Sequence, residues 1–118
     1  FSVLRSVFSV RPSEVDIQLE GEEVLKPLGG LKVLHTPGHT PGSISIYLKL
    51  NGKIILFAQD LHGPLLEEFG SNIEDYGRST KKLLDLEADI LCEGHFGIYK
   101  TKKEVRDYIL SYRRQYGV

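Results

Sequence analysis

The sequence predicts an α/β (α+β) chain, a mixed and mostly antiparallel sheet with helices on one face, and three observations predict it. Ile44, Ile46, Leu48 and Leu50 alternate with Ser43, Ser45, Tyr47 and Lys49, and an apolar run from Lys53 to Ala58 returns after Asn51-Gly52. Asn-Gly supplies the positive φ that both central residues of a type I′ turn require, so the two runs form a tight antiparallel hairpin. Two capping boxes, Ser71 with Glu74 and Thr101 with Glu104, each open a segment with apolar residues at helical spacing.

The elements follow in order. Phe1 to Val10 is apolar with one Arg, but it lacks the long apolar centre and small-residue cleavage site of a secretion signal. Val15, Ile17 and Leu19 alternate with Asp16, Gln18 and Glu20, the period of a strand with one wet face. Gly21 ends it, and a short apolar piece around Val24 and Leu25 leads to Pro27 and Gly29-Gly30. Leu31 to His35 is the next strand. The Pro- and Gly-rich stretch from Thr36 to Gly42 is a loop. Lys53 to Ala58, apolar through Ile54, Ile55, Leu56 and Phe57, is expected at the centre of the sheet and buried on both faces. A helix starts at the Ser71 box, with Ile73, Tyr76, Leu83 and Leu84 on one side, and a short strand spans Asp89 to Cys92. The last helix turns Val105, Tyr108, Ile109, Tyr112 and Tyr116 toward the sheet.

At 118 residues the chain holds one folding unit, or one part of a larger one, and its 41% hydrophobic and 26% charged residues are those of an ordinary globular protein. Lys+Arg 15 against Asp+Glu 16 leaves no broad basic field for nucleic acid. Lys100, Lys102, Lys103, Arg106, Arg113 and Arg114 cluster near the C-terminus with no interleaved aromatic platform, which predicts a solvated helix face. No apolar run approaches the length that spans a bilayer. The single cysteine, Cys92, permits no intrachain disulfide and fits a reducing, cytoplasmic setting. The chain has no Met and begins at Phe1, which suggests a piece of a longer protein.

Three chemistry-bearing residues each follow a strand: His39 after Leu31 to His35, Asp60 after Lys53 to Ala58, and His95 after Asp89 to Cys92. Neighbouring strand ends can converge on one rim, where ligands are commonly bound. His39 sits between two Pro-Gly pairs, Pro37-Gly38 and Pro41-Gly42, which stiffen the loop and spare a ligand the entropic cost of ordering. Asp60 ends the most apolar strand, where an unpaired carboxylate is costly unless a cation or several donors compensate. His95 lies in Glu93-Gly94-His95-Phe96-Gly97, whose glycines allow close backbone approach. Two imidazoles and a carboxylate suit zinc, and also iron or manganese. Cys92 is read as a small core residue.

The run Val33-Leu34-His35-Thr36-Pro37-Gly38-His39-Thr40-Pro41-Gly42-Ser43 closely resembles the third metal motif of the metallo-β-lactamase superfamily, particularly its glyoxalase II-like hydrolases. Ile55-Leu56-Phe57-Ala58-Gln59-Asp60 is similar to the fourth, with Gln59 where Gly is usual, and Glu93-Gly94-His95-Phe96-Gly97 to the fifth, with Phe96 inserted. The resemblance implies the C-terminal βα half of the family's αββα sandwich, spanning residues 1–118. It also implies that His39 binds a first metal, His95 a second, and that Asp60 bridges both and positions the nucleophile. One or two zinc ions, or iron or manganese, would be the cofactor. His35 and His62 are candidates for supporting a ligand or touching substrate. The implied activity is hydrolysis of a small thioester, lactone or related ester by a metal-bound hydroxide. Alternatives are a non-haem iron oxidoreductase of the same fold, persulfide dioxygenase-like or flavodiiron-like, and a non-catalytic half-domain acting as an assembly module. The family's H-x-H-x-D-H run is absent from this chain. The full-length parent is therefore expected to be a metallo-hydrolase and the isolated chain inactive or weak. The inner sheet face is expected to need the missing N-terminal half, or a homodimer partner, to cover it.

Overall fold

The computed structural model describes residues 11–26 and 29–118, so the Phe1 to Val10 stretch and Pro27 lie outside the described residues. Six strands form one sheet in sequence order: β1 (Glu23–Leu25), β2 (Leu31–His35), β3 (Ile44–Leu50), β4 (Lys53–Ala58), β5 (Ile90–Glu93) and β6 (Gly97–Tyr99). Every neighbouring pair is antiparallel except β4 and β5, which run parallel and are joined through the helix α1 (Ile73–Asp85). A second helix, α2 (Lys102–Tyr116), follows β6, and a short 3-10 turn (Glu67–Phe69) precedes α1. This is the mixed, mostly antiparallel sheet with helices on one face that the pattern predicts.

The hairpin closes as its dipeptide requires. Leu50 pairs with Lys53, and the turn between them carries φ 51 at Asn51 and φ 76 at Gly52. One core fills the space between sheet and helices, built from Leu56, Ala58 and Leu91 on the strands and Leu83, Val105, Tyr108 and Ile109 on the helices. Thr101 caps α2 by accepting the amide of Glu104.

Several expectations change. Residues 15–20 form no strand, and Val15 and Ile17 are exposed; alternation offers an apolar face, but the edge of β2 is paired with Glu23–Leu25 instead. The first helix starts one residue later than the Ser71 box implied. Asn72 is its cap, accepting from the Asp75 amide, because the Ser71 hydroxyl is committed to the carbonyl of His39. β4 is central but closed on one face only: Leu56 is fully buried and Phe57 is 43% exposed, since no described element lies over the side that Phe57 shares with Ile46 and Cys92. The short strand expected over Asp89 to Cys92 runs from Ile90 to Glu93, and the pattern does not predict β6. The basic cluster is not wholly a solvated face. Arg113 reaches across to α1 and donates to the carbonyl of Gly77 and the hydroxyl of Thr80, tying the helices together.

Candidate metal centre

The chemistry-bearing residues meet at the rim where β2, β4 and β5 end. Asp60 stands two residues past the end of β4 with φ 60, a left-handed conformation uncommon outside glycine but accessible to aspartate. The amide of Gly63 donates to the carbonyl of Asp60 at 3.1 Å and closes a turn over residues 60–63. Both helices hold that turn by its backbone. The Tyr76 hydroxyl on α1 donates to the carbonyl of Leu61 at 2.6 Å, and the Tyr116 hydroxyl on α2 donates to the carbonyl of His62 at 2.8 Å. Burial pushes both phenols above their ordinary pKa, so they remain donors at neutral pH.

The Asp60 carboxylate faces an imidazole with each oxygen. His95 Nε2 lies 2.8 Å from Oδ1, and His39 Nε2 lies 3.7 Å from Oδ2. His39 arrives on a loop that α1 and its leading residues grip at three points. Ser71 Oγ donates to the carbonyl of His39 at 2.6 Å, the Asn72 amide to that of Gly38 at 2.9 Å, and Ser79 Oγ to that of Pro37 at 2.6 Å. The other nitrogen of the His39 ring, Nδ1, donates to the carbonyl of Pro64 at 2.7 Å. In a neutral ring that bond leaves a lone pair on Nε2, facing a carboxylate oxygen, an arrangement that a cation between them satisfies.

His62 joins the same group. One donor atom each from Asp60, His62 and His95 lie within 4.8 Å of one another, close to the span that a cation with bonds of about 2.0–2.2 Å can bridge. The set of nitrogen and oxygen donors thus fits a divalent transition metal. His35 takes a different place. Its Nε2 donates to the carbonyl of Pro41 at 2.8 Å and braces its own loop. Phenyl rings flank the group, Phe69 tilted against His39 at 5.2 Å and Phe96 edge-on to His62 at 4.7 Å.

Sequence reasoning missed Glu93. Its side chain is fully buried and accepts from the amides of His95 at 2.8 Å and Phe96 at 2.7 Å and from His62 Nδ1 at 3.1 Å. Burial pushes its carboxyl up, but the two amides and the His62 ring outweigh that and hold it below the ordinary glutamate range. A signal existed: Leu91 and Glu93 are two apart on one strand and therefore share the core side, where a lone carboxylate demands partners. The helical spacing gives Tyr76 and Tyr116 only as packing residues. Gln59, placed where Gly is usual, lies against the next strand's turn, and a Cβ at Gly94 would stand 2.9 Å from its Cγ.

The profile of the metallo-beta-lactamase superfamily matches residues 3–95. The chain belongs to the metallo-beta-lactamase superfamily. Among solved structures it is similar to a metallo-beta-lactamase family protein from Thermus thermophilus, at 28% identity and TM-score 0.65, covering 90% of this chain and 38% of that one. A metallo-beta-lactamase with a HARLDQ motif from Cronobacter sakazakii shares the fold at 24% identity and TM-score 0.68, covering 90% and 50%. An archaeal superfamily protein from Sulfolobus tokodaii does so at 20% identity and TM-score 0.63, covering 93% and 47%. The chain thus spans half or less of the length of these structures. No curated protein matches it. Among the described residues no helix is long and apolar enough to cross a membrane.

Proposed function

We infer that this metallo-beta-lactamase superfamily chain supplies part of the centre of a zinc-dependent hydrolase acting on a thioester, lactone or related ester. The observation that carries the reading is the Asp60 carboxylate set between two imidazoles, 2.8 Å from His95 and 3.7 Å from His39. A divalent ion held there would supply an activated water near neutral pH and polarise the substrate carbonyl. In this reading Asp60, with one oxygen facing His95 and the other His39, would help to hold the ion and to orient a water beside it. His39 is presented by a loop whose carbonyls are already bonded, so little ordering is left to do when substrate arrives. Phe69 and Phe96 give the rim apolar flanks suited to the acyl part of an ester. The glyoxalase II-like run from Val33 to Ser43 favours esters and thioesters within the family. The remaining donors and the cover for the open sheet face, where Ile44, Phe57 and Ile98 are exposed, would come from the N-terminal half of the domain.

The test is hydrolysis of a panel of thioesters, lactones and aryl esters by the full-length protein, zinc-loaded and chelator-treated. Turnover that chelation abolishes and zinc restores, and that falls at least about 100-fold in His39→Ala and Asp60→Asn, is the expected result. Bound iron with oxygen consumption and no ester turnover would replace hydrolysis with oxidation.

A further inference from the structure

The same rim holds His62, which the resemblance gives only as a support or substrate contact, and the buried carboxylate Glu93, to which it gives no role. His62 stands two residues past Asp60, with its ring edge-on to that of His95 at a centroid distance of 5.0 Å. Its Nδ1 lies 3.1 Å from Glu93 Oε1, a contact whose carboxylate side chain has no solvent exposure. The same carboxylate takes two backbone amides and so faces the ring as an acceptor; in a neutral imidazole Nδ1 then carries the proton and Nε2 the lone pair. The donor atoms of His62, Asp60 and His95 already lie within 4.8 Å of one another. Glu93 reaches the same group a second way, because its Oε2 takes the amides of His95 and Phe96 and so sets the backbone that carries His95. The ring is held from other sides as well: Tyr116 fixes the His62 carbonyl at 2.8 Å and Phe96 packs against the imidazole at 4.7 Å.

We propose that Glu93 is a positioning residue that turns His62 into a metal donor, so that Asp60, His62 and His95 hold a divalent cation on the side of Asp60 away from His39. The proposal rests on the metal-centre reading above and extends it. A centre that lacks the H-x-H-x-D-H residues within this chain regains a nitrogen donor from His62, and the His95 position reaches three protein donors from this chain alone. The logic is that of a carboxylate holding an imidazole for a metal: the hydrogen bond fixes tautomer and ring orientation and raises the basicity of the ligating nitrogen.

The experiment uses the full-length protein and reads binding rather than turnover. NMR of the histidine ring nitrogens with NMR-active cadmium bound is expected to show metal coupling at His62 Nε2 as well as at His95, with the proton retained on His62 Nδ1. Calorimetric zinc titration is expected to show Glu93→Gln weakening one site by about 10–100-fold, and His62→Ala by at least as much, with the His39 side unchanged. Because Glu93→Gln can also disturb the turn, the cadmium measurement on the unaltered protein decides independently of any variant. Coupling to His95 without coupling to His62 overturns the proposal and leaves the metal centre standing. Coupling to none of the histidines overturns both.

Discussion

Two segments bring histidines to Asp60, and they are held in opposite ways. The His39 loop is gripped from outside: α1 and the residues leading into it contribute a serine hydroxyl, a backbone amide and a second serine hydroxyl to three successive carbonyls, and the loop packs directly against the helix. The His95 turn is held from beneath by a single buried carboxylate that binds two amides and a neighbouring ring. The first scheme depends on shape and on the helix being in register; the second depends on one charge and leaves the turn's outer surface open. His95 accordingly stands 50% exposed at its side chain and His39 16%. The His39 side should therefore tolerate no added volume at Gly38, where the loop meets α1, while the His95 side should accept it at Gly97 and depend on Glu93.

Glycine substitutions separate the two schemes most sharply. A Cβ at Gly38 would stand 2.7 Å from the Cα of Tyr76 and 2.8 Å from its Cβ, on a backbone with φ 154. Neither helix backbone nor loop can yield cheaply, so Gly38→Ala is expected to cost about 2–5 kcal/mol in urea unfolding and to displace His39. Next in size is the clamp on the Asp60 turn. Tyr76→Phe removes the hydroxyl that satisfies the carbonyl of Leu61 in a buried setting, at an expected cost of about 1–3 kcal/mol by the same measurement. Gly97→Ala should come below Gly38→Ala. Gly97 has φ 106 but meets no atom within 4 Å, so only backbone strain remains, on the order of 1–2 kcal/mol. Equal costs at Gly38 and Gly97 would show that the two segments are not held differently.

The same contrast explains what the sequence disclosed. The His39 loop was legible because its rigidity is local, written in two Pro-Gly pairs, and the hairpin because Asn51-Gly52 states its own turn type. The ends of β2, β4 and β5 could be placed for the same reason, which put His39, Asp60 and His95 on one rim. Tyr76 and Tyr116 were not legible as site residues, since each acts on a carbonyl 15 or 54 positions away, and Glu93 carried a signal only through the strand face it shares with Leu91, its ring partner lying 31 positions away. The strand expected over residues 15–20 failed for a related reason. Alternation describes one segment, while a strand needs an edge to pair with, and no single segment's sequence reports that edge. The β4 expectation erred because apolarity on both faces says only that both faces want cover, and Phe57 stays 43% exposed among the described residues.

The smallest effect tests whether hydroxyls on the inner helix faces are there for the site or merely tolerated. Tyr76 and Tyr116 each spend their hydroxyl on a carbonyl of the Asp60 turn, whereas the hydroxyl of Tyr108, about two turns before Tyr116 on α2, is buried among the described residues with no partner. Burial first, and then the charge of Glu93, push its pKa up, so the group stays protonated and unsatisfied. Tyr108→Phe keeps the ring contacts with Tyr99 at 4.5 Å and Tyr112 at 5.1 Å and removes only the unpaired oxygen. It is therefore expected to leave stability unchanged or raise it by up to about 1 kcal/mol, opposite in sign to Tyr76→Phe. A loss comparable to that of Tyr76→Phe would mean that the Tyr108 hydroxyl has a partner in solution.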